Sequence, residues 1–266
     1  MLTEQRYEII LKLLEEKNSI TVAEVKDLLN TSESTVRRDI TALHNAGKLV
    51  KVFGGAVACD RTVITHEPTV EQKAEVNVEA KQLVAAKAAA LIQPEDFVYL
   101  DAGTTTGYML EHLNGSRATF VTNGVSHART LAQMGVHVLL IGGELKGSTE
   151  AVIGSRVYLI GGELKGSTEA VVGNQALMNL QSYHFTKGFF GTNGISRQSG
   201  LTTPDMNEAM VKKTAMGQCR ECFILADHSK FGNVSSVTFG AFQSGTILTD
   251  GCPEEYKSSG NVVICG

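Results

Sequence analysis

The sequence is short of positive charge. Its 266 residues carry 24 lysines and arginines against 28 aspartates and glutamates, a net charge of −4. That balance argues against a surface built along the whole chain to hold a polyanion. No apolar run approaches the ~20 residues that a membrane-spanning helix needs, so no membrane partner is expected. No charged-then-apolar leader is read either. The N-terminus opens directly on a helical pattern, and a cytoplasmic protein is expected. A patterned cysteine framework is missing too: Cys59, Cys219, Cys222, Cys252 and Cys265 are odd in number and unsuited to a disulfide scaffold. Cys219-Arg-Glu-Cys222 invites a metal or redox reading, but its spacing to Cys252 and Cys265 is not a zinc ribbon's. Cys222 also runs straight into strand-like Phe223-Ile-Leu-Ala226. These cysteines are read as ordinary thiols in a reducing compartment, and no metal and no cofactor is expected.

What positive charge there is sits in one place. Residues 1–34 hold four basic and seven acidic residues, net −3, whereas residues 35–57 hold Arg37, Arg38, Lys48 and Lys51 against Asp39, net +3. Within that stretch Val36, Ile40 and Leu43 recur at i, i+4 and i+7, one face of a helix. Ser34, Thr35, Arg37, Arg38 and Thr41 take the opposite face, and Thr31 and Ser32 are candidate N-caps. Paired arginines near the start of a short helix can reach phosphates or guanine edges. Upstream, residues 4–17 form an amphipathic run with Ile9, Ile10, Leu13 and Leu14 inward. Residues 21–29 follow, with Thr21-Val-Ala-Glu24 as a capping box. Downstream, Ala46-Gly47 stops the helix. Leu49-Val-Lys-Val-Phe53 and Gly54-Gly55 then make a β-rich hairpin. Helix, helix, turn, helix, hairpin is the order of a winged helix-turn-helix. Thr31, Ser32, Ser34, Thr35, Arg37 and Arg38 are the candidate DNA contacts, with Lys51, Gly54 and Gly55 on the wing. Residues 1–57 are read as this domain, 58–76 as a linker, and 77–266 as a larger domain.

In the larger domain strand and helix alternate, which implies a largely parallel sheet covered on both faces. Helical stretches are read at 78–93, 108–113 and 126–134, and strands at 97–100, 120–121, 136–141 and 223–226. The polar motifs fall at strand C-termini, where open α/β sheets place ligands. Asp101, Gly103, Thr104, Thr105 and Thr106 form a glycine and hydroxyl loop before a helix, suited to a phosphate. Asn123-Gly124 is a second turn. Gly188-Phe-Phe-Gly191 leads to Thr192-Asn193-Gly194-Ile195. Gly200-Leu-Thr-Thr-Pro204 reads as a polar loop before a helix bearing Glu208 and Lys212, and Asp227-His-Ser-Lys230-Phe231 closes a further strand.

Arg6, Ile9, the 29–39 segment with Thr35-Val-Arg-Arg-Asp39, Leu43 and the later Gly47-Lys48 and Gly54-Gly55-Ala56 closely resemble the DNA-binding end of the DeoR family of bacterial sugar-operon regulators. Asp101-x-Gly-Thr-Thr, Thr122-Asn-Gly, Gly142-Gly, Gly191-Thr-Asn-Gly-Ile, Gly200-Leu-Thr and Asp227-His-Ser-Lys-Phe resemble that family's sensor domain. The resemblance spans nearly the whole chain. It implies a sensor related in fold to ribose-5-phosphate isomerase and CoA-transferase-like enzymes, and a phosphorylated-sugar effector. The effector positions it implies are Asp101, Gly103, Thr104, Thr105, Asn123, Asn193, Gly194, Lys212, Asp227 and Lys230. Residues 30–39 are similar to fructose-operon repressors within the family, which favours fructose 1-phosphate over galactitol, tagatose, glycerol and deoxyribose phosphates.

The expected function is a regulator, a repressor of a sugar-uptake or sugar-metabolism operon. It would bind operator DNA as a homodimer or homotetramer and be released by the phosphosugar. No enzymatic activity is expected. The alternatives are a phosphosugar isomerase with a DNA-binding appendage, against which the sequence shows no clear catalytic carboxylate–lysine pairing, and a constitutive DNA-binding protein with a vestigial sensor. One feature departs from the family. Residues 140–154 recur as residues 159–173, offset by 19, with only Ile153/Val172 differing. Two near-identical copies are too few and too alike for a solenoid array. One copy is expected in the family position and the other as a surface hairpin or loop.

Overall fold

The computed structural model describes residues 3–17, 19–45, 48–52, 54–58, 63–64, 73, 75–141, 143–144, 163–165 and 169–266. The expected helix stop at Ala46-Gly47, the thiol of Cys59 and most of the 58–76 stretch lie outside them. The chain divides into two units, residues 1–62 and 63–266.

In the smaller unit α1 (Thr3–Lys17) is followed by β1 (Ser19–Thr21), α2 (Val22–Leu29) and α3 (Glu33–Asn45). Thr21 and Glu24 form the reciprocal capping box that starts α2; each side chain satisfies a backbone N–H that the helix leaves unpaired. Asn30, at φ 46°, ends α2 in the left-handed region. Strands β2 (Leu49–Val52) and β3 (Gly55–Ala58) make the wing, and β1 pairs with β3. Ile10, Leu14, Val25, Val36, Ile40 and Leu43 form the core between these elements. The i, i+4, i+7 face of α3 is therefore the buried one.

The larger unit opens on β4 (Val63–Ile64) and α4 (Val78–Ala89). The sequence suggests that α4 runs to residue 93. It stops short because its last turn tightens: Leu91 and Ile92 donate to the carbonyls of Ala88 and Ala89, three residues back. Pro94 disfavours the helical conformation at Gln93, and the Asp96 carboxylate takes the Gln93 N–H at 2.7 Å. Then come β5 (Phe97–Leu100), α5 (Thr104–Met109) with a 3-10 turn over Leu110–His112, β6 (Thr119–Thr122), α6 (Val125–Gln133), β7 (Val138–Leu140) and β8 (Gly143–Glu144). After β9 (Glu163–Lys165) and β10 (Ala170–Val172) come α7 (Asn174–Leu180), β11 (Phe185–Gly191), β12 (Gly194–Ser196), β13 (Gly200–Thr203), α8 (Met206–Gly217) and β14 (Cys219–Leu225). The chain continues through β15 (Val234–Ser235), β16 (Val237–Gly240), β17 (Thr246–Thr249), α9 (Glu254–Lys257) and β18 (Val262–Ile264).

The main sheet runs β18-β17-β14-β11-β5-β6-β7-β8. Every pairing in it is parallel except the β7–β8 hairpin. Parallel strands are covered on both faces, so they read as continuous apolar runs; Val98, Tyr99, Leu100, Phe189 and Phe190 are all fully buried. A separate antiparallel sheet, β12-β13-β16, stands beside it. The segment read as a polar loop at residues 200–203 is β13, buried at all four positions.

Residues of both copies enter the described structure, whereas residues 145–162, on which the expectation of one copy in place and one in surplus turns, lie outside the described residues. The first supplies Leu140 and β8 at the sheet edge. The second supplies the β9–β10 hairpin, whose end is fastened to the β6–α6 turn by Val171 N–H to the Asn123 carbonyl (2.7 Å) and Val125 N–H to the Glu169 carbonyl (3.0 Å). Glu144, at the end of β8, and Glu163, at the start of β9, occupy the same position of the repeat. A chain with one period removed still contains every residue type that these strands use. Deleting residues 141–159 is therefore expected to leave the thermal midpoint unchanged or raised. A fall of more than about 4 °C, roughly 1 kcal/mol for a domain of this size, would show that the extra period is structural.

Candidate nucleic-acid interface and effector site

On α3 the side chains of Ser34, Arg37 and Arg38 are exposed and those of Thr35 and Thr41 half-buried; Thr31, ahead of the helix, is half-buried too. Of the two candidate caps it is Ser32 whose hydroxyl accepts the Thr35 N–H, at 3.3 Å. Arg37 reaches back one turn to Glu33 at 3.4 Å, with both side chains more than half exposed. An exposed pair of this kind contributes little and is readily exchanged for a phosphate. Lys51 extends from the wing to the Thr41 hydroxyl (3.0 Å), which itself donates to the Arg37 carbonyl (2.7 Å). Gly54 sits at the wing turn. Gly55 is buried in β3, where a Cβ would lie 2.0 Å from the Ile20 carbonyl oxygen, so the approach of β1 requires glycine there. Arg6 and Asp39, 33 residues apart in the chain, form a pair. Arg6 Nε and Nη2 donate to the two oxygens of Asp39 at 2.7 and 3.0 Å, a planar fork that fixes α1 against α3. The signal was present: Asp39 lies on the same face as the core residues Val36, Ile40 and Leu43, where a carboxylate needs a partner.

In the larger unit four adjacent strands, β14, β11, β5 and β6, deliver their C-terminal ends to one edge. Asp101 ends β5. Its carboxylate takes the Gly191 N–H at 3.0 Å and pairs with the Lys212 ammonium, which also donates to the Gly191 carbonyl at 3.1 Å. Asp101 is 1% exposed and Lys212 5%. The fold thus makes a carboxylate–lysine pairing, between residues 111 positions apart, that the sequence does not show. Gly103 is the N-cap of α5, so Thr104, Thr105 and Thr106 form the first turn of that helix rather than a loop before it. The helix begins four residues ahead of the expected start because Gly107 N–H bonds the Gly103 carbonyl at 2.8 Å. The Thr106 hydroxyl lies against the Asp101 and Gly103 carbonyls at 2.6 and 2.8 Å.

Asn123, 2% exposed, accepts the Tyr99 hydroxyl at 3.1 Å and the Ala102 N–H at 2.9 Å through Oδ1. It fixes the Asp101–Gly103 turn from the neighbouring strand. Gly124 caps α6. Asn193 accepts the Thr203 hydroxyl at 3.2 Å. Gly194 lies so close to the chain at Asn233 that a Cβ would meet that carbonyl oxygen at 2.3 Å. Asp227 follows β14 and is 1% exposed. Burial pushes its carboxyl up, but bonds from Ser229, the charge of Lys230 and the Asn77 amide outweigh this and hold it below the ordinary carboxylate range. Lys230 Nζ stands 3.6 Å from Oδ2, and among the described residues no donor hydrogen-bonds that oxygen.

His127 was not singled out from sequence, although it neighbours the apolar positions of α6. Its Nε2 lies 3.1 Å from the Gly103 carbonyl and 3.2 Å from the Thr106 hydroxyl. Bonding the carbonyl places the proton on Nε2. Burial pushes the imidazole below its ordinary value, against the pull of Asp101 and the Gly103 bond, so the ring is a neutral strut under the turn. Among the described residues no group of histidines, cysteines and carboxylates is arranged to hold a metal ion, and no helix is long and apolar enough to cross a membrane.

A winged helix-turn-helix joined to an α/β unit with polar strand ends is the architecture of a regulator with a DNA-binding head and a sensor. Residues 6–62 match the DeoR-like helix-turn-helix domain, and residues 76–157 and 154–251 match the DeoR C-terminal sensor domain, the two latter segments meeting inside the repeat. The chain belongs to the DeoR family of DNA-binding transcriptional regulators. It is 36% identical over 255 residues to the uncharacterized HTH-type transcriptional regulator FruR of Bacillus subtilis, covering 96% of this chain and 93% of that one. It is 31% identical to the lactose phosphotransferase system repressor of Streptococcus mutans, covering 97% and 95%. Among solved structures, ribose 5-phosphate isomerase from Methanocaldococcus jannaschii aligns with 58% of this chain and 55% of its own, at 14% identity and a TM-score of 0.39.

Proposed function

We propose that this chain represses a sugar-uptake or sugar-metabolism operon in the cytoplasm, and that a phosphorylated sugar releases it from operator DNA. The observation that carries the reading is the convergence of Asp101, Gly191, Asn193, Lys212, Asp227 and Lys230 on one sheet edge, where a half-exposed lysine stands beside a buried carboxylate oxygen that, among the described residues, lacks a donor. A phosphosugar fits that combination. Its phosphate takes Lys230 and the backbone N–H groups at the start of α5, at Gly103, Thr104 and Thr105, while a sugar hydroxyl donates to Asp227. Fructose 1-phosphate is the first candidate, on the likeness of residues 30–39 to fructose-operon repressors. Ser34, Thr35, Arg37 and Arg38 contact the operator, and Lys51 and Gly54 follow its backbone. The protein acts as a homodimer or homotetramer, because recognition helices of this class read paired half-sites.

The Asp101–Lys212 pair is the one observation that favours an isomerase instead. Lys212 is held between Asp101 and the Gly191 carbonyl, an arrangement that locks the turn rather than presenting a base, and a shared fold does not carry catalysis with it. The test is whether a sugar phosphate, and not its unphosphorylated parent, dissociates the protein from its own upstream DNA.

A further inference from the structure

Ahead of α4, β4 and Asn77 both bond to the segment that follows β14. Strand β4 (Val63–Ile64) pairs in parallel with β15 (Val234–Ser235). Asn77 precedes α4 in the left-handed region, φ 52° and ψ 43°, and its side chain makes no bond to the helix it caps. That is unusual, because an asparagine at this position ordinarily accepts a free helix N–H, and the left-handed conformation costs a non-glycine residue energy. Asn77 Nδ2 instead reaches 150 residues along the chain and donates to Asp227 Oδ1 at 2.9 Å, with Ser229 Oγ at 3.3 Å. One turn into α4, Lys81 is 3% exposed. Its ammonium holds the carbonyls of Val76 (2.6 Å) and Lys73, fixing the residues just ahead of Asn77. Burial pushes that ammonium below its ordinary value, opposed by the attraction of Asp227.

We propose that Asn77 is the coupling residue: its bond to Asp227 belongs to the operator-binding state, and an effector that engages Asp227 and Lys230 breaks it. This rests on the assignment of the effector to the Asp227–Lys230 edge. The carboxylate has Asn77 and Ser229 on Oδ1 and Lys230 beside Oδ2. A phosphate that draws Lys230 away and a hydroxyl that donates to Oδ2 both favour rotation of the carboxylate out of its bond with Asn77. Asn77 is then released from the segment that follows β14. A ligand shifts such an equilibrium only by its differential affinity for the two states, and the coupling is reciprocal. Asn77 is a positioning residue here and need not touch the effector.

The test is Asn77→Gly, which tolerates the left-handed backbone and removes the side chain that carries the amide. Operator affinity is measured by fluorescence anisotropy with and without fructose 1-phosphate, and fructose 1-phosphate affinity by calorimetry, on the full-length wild-type and variant proteins. A hydrogen bond to a charged group shifts an equilibrium by about tenfold or more. The variant is therefore expected to bind operator about tenfold more weakly without effector, to respond about tenfold less to fructose 1-phosphate, and to bind fructose 1-phosphate more tightly. Damage to the fold does not produce that gain in effector affinity. Unchanged operator affinity and release in the variant would overturn the inference while leaving the proposed function intact, and so would weaker operator binding without tighter effector binding. Failure of the wild-type protein to bind fructose 1-phosphate would overturn the effector assignment and the inference with it.

Discussion

Replacing Lys212 by methionine is expected to lower the unfolding free energy of the sensor unit by about 3–5 kcal/mol, the usual cost of removing one partner from a buried ion pair. Methionine keeps the length of the side chain and some of its packing against Phe239, whose ring centre lies 5.6 Å from Nζ. What it removes is, among the described residues, the one cation paired with a carboxylate that is 1% exposed. Asp101 would retain the Gly191 N–H and little else, and a buried charge without compensation is costly. The loss is read from the denaturant midpoint at unchanged slope. The near-ultraviolet dichroism of the aromatics around Tyr99 reports it, since the chain has no tryptophan. Adding Asp101→Asn should recover part of the loss, because the orphaned charge goes with it. A Lys212→Met protein as stable as the wild type would mean that the pair does not hold the turn together.

Arg37→Ala is expected to weaken operator binding by about 1–3 kcal/mol if the arginine reads a base edge, with relaxed discrimination at that position. If it contacts only a phosphate, binding weakens for all sequences alike and the salt slope drops by about one. The fold should be indifferent, because Arg37 is exposed and its bond to Glu33 is a long surface pair. Operator affinity equal to wild type at the same salt would remove Arg37 from the interface. Asp39 makes the contrasting case. It is 3% exposed and forked to Arg6, so changes there act on the seating of α3 rather than on the DNA directly.

The winged helix-turn-helix was legible because its signals are local. A capping box, a three-residue apolar face and a glycine turn each span fewer than ten residues. The parallel sheet was legible from alternation, and its polar strand ends from position. Boundaries were less so. Residue 104 does not announce a helix start, since the threonine run offers hydroxyl loop chemistry equally well; the Gly103 carbonyl decides it by accepting the Gly107 N–H. The strand at Gly200–Thr203 was hidden because its partners, β12 and β16, lie on either side of it in the chain and β16 is more than thirty residues away. Contacts at long range left no periodic trace: Asn77 with Asp227, Lys212 with Asp101, and Lys187 with Asp96 at 2.6 Å. In each of them a polar side chain is explained only by a partner some 90 or more residues distant. The repeat was legible as a repeat, but identical copies carry no information about which one the sheet uses, and residues of both are built in.

The measurement that tests the account most directly is anisotropy of the protein on its own upstream DNA, at fixed salt, titrated with fructose 1-phosphate, other sugar phosphates and their unphosphorylated parents. Release by one phosphosugar and by none of the parents is the predicted result, and it names the effector. Tight DNA binding that no sugar phosphate relieves would contradict the account and leave a constitutive DNA-binding protein whose sensor does not signal.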